Sequence, residues 1–364
     1  MLVIVAPGQG AQRPGMLGGW LDDPAAATEV AAWSELTGLD LVTLGTTADA
    51  GTVQDTAHAQ PLLVTLGLLS ATALATRIQL PREQLGDVLA GHSVGELTAA
   101  ALAGVVTDDE AVQLVALRGA AMARAAADSP GGMSAVLGGD PVTVSERLVE
   151  LGLTPANVNA AGQVVAAGPL HLLEQLSAHP PAGARVRPLP VAGAFHTGQM
   201  ATAAVALTEV ARQIAPAAPS APVVANADGM AYVDGPSLLS TIVGQVAAPV
   251  RWDACQRTFA ALGVTGLLEL APGGTLTGLA RRELPAVATF AVKSPGDLDA
   301  AAAFVAEHRS RTTVPSAPRA GADPGADSPD AGPKHAGPKH AGPKHAGPQQ
   351  NGGSTPATRP GGDA

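Results

Sequence analysis

Short unbroken apolar runs alternate along this chain with stretches in which apolar residues return every three or four positions. Leu2–Ala6, Val88–Ala90, Gly266–Leu270 and Val287–Val292 are of the first kind and read as buried strands, with Val223–Asn226 as a further one. Ala57–Arg77, entered near Pro61, Leu97–Leu102, Leu238–Gln245, the stretch ending at Leu262 and Leu276–Arg282 are of the second kind and read as helices. Such alternation predicts a mainly parallel sheet covered by helices on both faces. Thr107-Asp108-Asp109-Glu110 has the spacing of a capping box and marks the start of another helix. That helix would bury Ala111, Val115, Arg118 and Met122, so a guanidinium falls on its apolar side.

From Gly131 the pattern changes. Met133–Leu137, Val164–Ala167 and Arg185–Leu189 read as short strands and Val142–Leu151 and Leu170–Ala178 as helices, the first of them introduced by Asp140 and Pro141. This is a compact α+β insert, for which a ferredoxin-like layout is the natural expectation. The stretch Asn157–Gln163 reads as turn chemistry, its side-chain amides bonding local backbone, or as the lining of a cleft.

Composition narrows the function classes. The chain has 364 residues, 46% of them hydrophobic, enough for one large or two modest cores. No apolar run reaches the ~18 uninterrupted residues of a membrane span, and Met1–Val5 lacks a basic leader, so a cytoplasmic chain without membrane association is expected. One cysteine, Cys255, excludes an internal disulfide and has no partners at zinc-ligand spacing, so no metal site is expected. Net charge is −10, and residues 311–364 carry six basic and four acidic groups, which leaves the rest more acidic than the whole. Nucleic-acid binding is therefore not expected. That segment is rich in Ala, Gly and Pro and repeats Ala-Gly-Pro-Lys-His three times at 331–345, a composition that builds no core and predicts disorder.

The chemistry gathers at Gly91-His92-Ser93-Val94-Gly95-Glu96, set between an apolar run and a helix-forming run. Strand, Gly-x-Ser-x-Gly, helix is the layout of a nucleophile elbow, which exposes the serine hydroxyl beside backbone N–H groups able to hold an oxyanion. The loop Pro7-Gly8-Gln9-Gly10 after the first strand is neither a Walker loop nor a dinucleotide fingerprint, and it brings the Gln9 backbone into reach as a second oxyanion donor. A general base is sought among nine histidines. Three lie in the repeats and His58, His171, His179 and His308 have surface-like contexts; His92, fixed beside the serine, reads as structural, which leaves His196 in the loop Gly193-Ala194-Phe195-His196-Thr197. Arg118 then reads either as half of an ion pair under its helix or as a fork for a substrate carboxylate.

Taken in order, Gly8-Gln9-Gly10-Ala11-Gln12, the elbow, Arg118-Gly119, the Asn159…Gly162-Gln163 stretch, Ala194-Phe195-His196, Pro249-Val250-Arg251-Trp252 and Pro272-Gly273…Leu276-Thr277-Gly278-Leu279 make this chain resemble the malonyl-CoA:acyl-carrier-protein transacylases over roughly residues 1–290. The resemblance implies an α/β-hydrolase-like large domain (1–124 and 193–308) interrupted by a ferredoxin-like small domain (125–192), with the disordered tail at 309–364. It implies Ser93 as nucleophile, His196 as base, Arg118 as the clamp on the malonyl carboxylate, and Gln9 and Val94 as oxyanion-hole amides. The backbone carbonyl of Gln245 would orient His196 in place of a carboxylate, and Asp253 is given no role. Phe195 resembles malonyl-selective members; Ala194 and Thr197 depart from the common pattern, Thr197 keeping a hydroxyl.

Malonyl-CoA and acyl carrier protein would be the partners, with no cofactor, and a monomer is expected. The supply of extender units for fatty-acid synthesis is the implied role. The alternatives are a trans-acting acyltransferase of a polyketide pathway, or a serine thioesterase or hydrolase on the same dyad. Because carrier proteins are acidic, a local basic rim near the cleft is expected, with Arg185, Arg187, Arg281 and Arg282 as its members.

Overall fold

The structure is a computed structural model in which residues 1–310 are described. The predicted tail, from 311 onward, lies outside the described residues. Strand β1 (Leu2–Ala6) is buried along its whole length, as its unbroken apolar run requires. It leads through α1 (Pro24–Thr37), α2 (Leu41–Thr46) and α3 (Ala50–Gln54) to α4 (Thr56–Ile78), then to β2 (Val88–Gly91), α5 (Gly95–Leu102) and α6 (Asp108–Asp128). The helix read at Ala57–Arg77 spans Thr56–Ile78: Asp55 accepts a hydrogen bond from the Ala57 N–H at 2.8 Å and caps it, and Pro61 sits inside the helix instead of at its entry. By length and hydropathy α4 could cross a membrane, but 72% of its most apolar window is buried inside this fold. It is a core helix.

A second sheet follows: β3 (Gly132–Gly138), α7 (Pro141–Glu150), β4 (Thr154–Ala160), β5 (Gln163–Gly168), α8 (Leu170–Ala178) and β6 (Ala184–Pro188). The chain then returns through α9 (Ala201–Ala211), β7 (Val223–Val224), β8 (Ala231–Tyr232), α10 (Gly235–Gln245), α11 (Trp252–Ala261), β9 (Gly266–Glu269), α12 (Thr275–Glu283), β10 (Ala288–Ala291) and α13 (Leu298–His308).

The first sheet has the order β10-β9-β1-β2-β7-β8 and is parallel except for β8, which runs antiparallel to β7. Strand β1 sits between β2 and β9: the sheet grows from it on one side through β2, β7 and β8 and then on the other through β9 and β10, and ligands of such sheets bind beyond the carboxyl ends of the strands where the order reverses. The second sheet has the order β4-β5-β3-β6, antiparallel throughout, with Val136, Val144, Leu148, Leu173 and Leu176 packed between it and its two helices.

Strand β4 corrects the turn reading of Asn157–Gln163. Asn157 and Asn159 lie in the strand, and only Ala161 and Gly162 form the turn. Asparagine favours turns when its amide has only local backbone to bond. Here β4 pairs with β5 on one edge, and on the other Val158 N–H donates to Val250 O at 2.9 Å while Val250 N–H donates to Ala156 O at 2.8 Å. That bridge ties the second sheet to the segment that leads into α11.

Candidate active site

The elbow glycines are required by space rather than by conformation. A Cβ on Gly91 would overlap the Gly95 carbonyl, and one on Gly95 would overlap the Ala6 carbonyl at the end of β1. The left-handed residue of the turn is Ser93 itself, at φ 54°, and His196 has φ 59°. Two such non-glycine residues cost of order 1–3 kcal/mol each, an expense that surrounding structure must offset. Ser93 is placed where β2 ends and α5 begins, and His196 in the loop before α9. The Thr197 hydroxyl donates to Ala194 O at 2.7 Å and holds that loop closed.

Ser93 Oγ lies 2.8 Å from His196 Nε2. With the serine proton directed at Nε2, the imidazole carries its own proton on Nδ1, which donates to the Gln245 carbonyl at 3.3 Å. The Gln245 side-chain nitrogen lies 3.1 Å from the same Nδ1 without bonding it, since both atoms carry protons, and it donates to Ala248 O at 3.0 Å. No carboxylate bonds His196 among the described residues. Asp253 is engaged instead by Arg251 at 2.9 Å and Arg257 at 2.8 Å.

Arg118, on the buried face of α6, is 2% exposed and has no carboxylate partner within salt-bridge distance among the described residues. Its Nη2 donates to Ser93 Oγ at 3.1 Å and its Nη1 to Gln60 Oε1 at 2.6 Å. A buried guanidinium held by a neutral amide and a hydroxyl keeps an unneutralised charge beside the nucleophile, which disfavours the ion-pair reading and leaves a receptor for an anion. Burial lowers its pKa to about 10, and it remains a cation at neutral pH. Burial, followed by the Arg118 charge, lowers the His196 pKa to about 3, so the imidazole is neutral and able to accept a proton.

Gln9 follows β1 and lies at the cleft wall, while Val94 is buried at the start of α5. Among the described residues neither of their backbone N–H groups donates to a protein acceptor, whereas the Ser93 N–H is taken by Asn226 Oδ1 at 2.6 Å. His92 points its Nε2 at Asn159 Oδ1, 2.9 Å away, and stacks obliquely on Trp252.

A cavity of about 230 Å³ opens onto Ser93 and His196, with Gln9, Gln60, Asn157 and Phe195 among its walls. One face of the second sheet, through Ala135, Asn159 and Val165, forms its side. The opposite face, through Val136, Val158 and Val164, lines a larger cavity of about 510 Å³ whose one serine, Ser145, has no histidine near it. Chemistry belongs to the smaller cavity. Around its mouth Arg282 Nη2 donates to Gln163 Oε1 at 2.7 Å. Arg185 and Arg187 on β6 stand opposite Leu137 and Ala135 of β3, and all three arginines are exposed, as is Arg281.

Of the sequence-predicted residues, Ser93, His196, Arg118 and Gln245 are thus joined by hydrogen bonds, Gln9 and Phe195 line the cavity beside them and Val94 follows Ser93. Of the expected basic rim, Arg282 bonds the wall residue Gln163, and Arg281 instead donates to Thr289 on β10. Sequence reasoning missed Gln60, the partner of Arg118, Asn226 beside the elbow, and the contact made by Asn159. For Gln60 the available signal was a long polar side chain immediately before the apolar stretch Pro61–Val64, five residues past the Asp55 cap.

The acyl transferase domain family matches residues 3–304. A malonyl CoA-acyl carrier protein transacylase of Mycobacterium bovis is 52% identical over 299 residues, covering 82% of this chain and 98% of that one. The crystal structure of MCAT from Mycobacterium tuberculosis is similar with a TM-score of 0.79 at 51% identity, covering 83% of this chain and 99% of its own. A solved complex of a type II PKS acyl-carrier protein with its malonyl-transacylase contains a chain that matches with a TM-score of 0.76 at 30% identity, covering 83% of this chain and 99% of that chain.

Proposed function

This chain belongs to the acyl transferase domain family, and on that premise we propose that it moves a malonyl group from malonyl-CoA to the phosphopantetheine thiol of an acyl carrier protein through a malonyl ester on Ser93. One observation carries the reading: Ser93 Oγ meets His196 Nε2 and Arg118 Nη2 at once, so the nucleophile, its base and an anion receptor share one point.

The malonyl carboxylate takes the Arg118 fork, which sets the thioester carbonyl over Ser93. His196 Nε2 receives the hydroxyl proton as Oγ bonds to the carbonyl carbon, and the Gln9 and Val94 N–H groups receive the oxyanion. Collapse breaks the C–S bond, and the coenzyme A thiol leaves with the proton from His196. The carrier thiol then enters, gives its proton to His196 and attacks the ester; Ser93 leaves and recovers the proton. The two halves use the same groups and need no cofactor.

A hydrolase on this dyad would use Ser93 and His196 and would have no work for a buried cation. The same chemistry serves fatty-acid synthesis or a polyketide pathway, and we assign the extender-unit supply of fatty-acid synthesis, with the polyketide role as the alternative. Phe195 in the cleft wall supports malonyl over bulkier acyl groups. The exposed arginines at the cleft mouth support carrier docking there. A monomeric working unit and a cytoplasmic placement belong to the same reading.

The domain reading rests on topology. The order β-α-β-β-α-β with strands β4-β5-β3-β6 antiparallel is what a ferredoxin-like insert at 125–192 requires, and the parallel sheet with the elbow after β2 is what an α/β-hydrolase-like body requires.

Intact mass after incubation with malonyl-CoA tests the function. Wild type gains a malonyl adduct that clears when carrier protein is added. Ser93→Ala gains none, and Arg118→Ala loses most of it, since an unpaired buried carboxylate costs roughly 2–5 kcal/mol. Acetyl-CoA loading as well as malonyl-CoA, or release of free malonate without transfer, would overturn the assignment.

A further inference from the structure

Asn226 sits just past the end of β7, the strand that pairs with β2 where β2 runs into the elbow. It is fully buried. Its side-chain oxygen accepts the Ser93 N–H at 2.6 Å, and its side-chain nitrogen donates to the Gly91 carbonyl at 2.7 Å. One amide thus spans the turn from the residue before it to the left-handed residue at its tip, supplying in one side chain a donor and an acceptor that a neighbouring strand would otherwise provide.

Asn226 is itself fixed on both sides. Its own N–H donates to Glu96 Oε1 at 2.8 Å, in the first turn of α5, and its carbonyl accepts the Arg251 N–H at 2.7 Å. The stretch 91–96 therefore meets Asn226 at three points.

We propose that Asn226 is the positioning residue of the nucleophile: by bridging Gly91 O and Ser93 N–H it holds Ser93 in the left-handed conformation that aims Oγ at His196. It also decides which amides serve the oxyanion. With the Ser93 N–H occupied, the free donor at the elbow is that of Val94. Asparagine holds a donor and an acceptor on two atoms bonded to one carbon without depending on a protonation state. Aspartate keeps the acceptor and turns the donor into a second acceptor facing the Gly91 carbonyl, beside Glu96; alanine removes both.

This rests on the transacylase reading, and the test separates the two. Single-turnover loading of malonyl-CoA is followed by intact mass for wild type, Asn226→Ala and Asn226→Asp, with steady-state kcat and KM and thermal midpoints. Leu176→Ala, in the core of the second sheet away from the cleft, serves as a destabilised control. Expected are a loading rate and kcat lowered by about 100-fold in Asn226→Ala, the scale of a misplaced reacting atom, a smaller loss in Asn226→Asp, and a KM for malonyl-CoA within a few-fold of wild type, because Arg118 and Gln60 are untouched. Leu176→Ala keeps its kcat at a comparably lowered midpoint.

Folded Asn226 variants that load at the wild-type rate, or lose activity only as Leu176→Ala does, or raise KM in place of lowering kcat, overturn the proposal. So does failure of both variants to fold, which would make the amide an element of the fold alone. Absence of loading in wild type would instead sink the transacylase reading.

Discussion

Two buried side chains, His196 in the cleft and Glu96 beneath the elbow, have pKa values far from their ordinary ones. His196 is neutral down to about pH 3 because burial, reinforced by Arg118, penalises the imidazolium. In the unfolded chain the same ring binds a proton near pH 6.5. Between these values the unfolded state holds more protons than the folded state, so His196 makes stability fall as pH drops from about 6.5 toward 3. We expect malonyl loading to show no acidic limb near 6.5, and the residual loading of Arg118→Ala to fall off at a higher pH than that of wild type, since one cause of the depression is gone. A loading-rate profile over pH 4–8 reads both. Glu96 acts with the opposite sign. It is buried beneath the elbow and its pKa is raised to about 8, mainly by desolvation. The folded state then keeps a proton that the unfolded chain releases above about 4.5, and stability falls as pH rises from there to about 8. Glu96→Gln should flatten that slope in denaturant midpoints taken at pH 5, 6.5 and 8.

At the scale of elements, the cleft wall depends on a cap. Glu269, at the end of β9 and fully buried, accepts backbone N–H groups from Gly274 at 2.8 Å, Leu276 at 3.0 Å and Thr277 at 2.8 Å, where α12 begins. A carboxylate at that position meets the unpaired amides and the positive end of the helix dipole together. Leu276 and Leu279 of the same helix line the cavity. Glu269→Gln should cost about 1–3 kcal/mol, seen as a lowered urea midpoint, and raise KM for malonyl-CoA more than it lowers kcat, because the wall moves and the dyad does not. An unchanged KM would show that α12 is held in place by its packing alone.

On the scale of the whole molecule, the site is the seam between two sheets. Ser93 and Gln9 follow the carboxyl ends of β2 and β1, while Asn159, Arg185 and Arg187 come from the second sheet. Arg185 and Arg187 stand on β6 opposite the strand that faces the cavity, and Arg282 reaches Gln163 from α12. Replacing Arg185, Arg187 and Arg282 together by glutamate should raise KM for the carrier protein at least about five-fold at low salt, with the difference shrinking near 1 M salt, where screening acts within ~3 Å. Transfer to the carrier unaffected at low salt would place docking elsewhere.

The sequence by itself determined what is local. Leu2–Ala6 had to be a covered strand, Gly91–Glu96 an elbow, Thr107–Glu110 a helix start and Arg118 a cation on a buried face, because each follows from periodicity or from neighbours a few positions apart. Even His196 could be reached as the candidate base, by elimination among the histidines. What the tertiary structure decided is every pairing across long separations: Ser93 with His196, 103 positions apart, Arg118 with Gln60, 58 apart, and Ser93 with Asn226, 133 apart. It also decided that Asn157 and Asn159 extend in a strand. Their local preference is for a turn, and it is overridden by ladder bonds to Val250 and β5 that no short window contains. Local patterns record the cost of placing one residue in water or in a core; the energy of a contact belongs to two residues, and it leaves no trace in the neighbours of either.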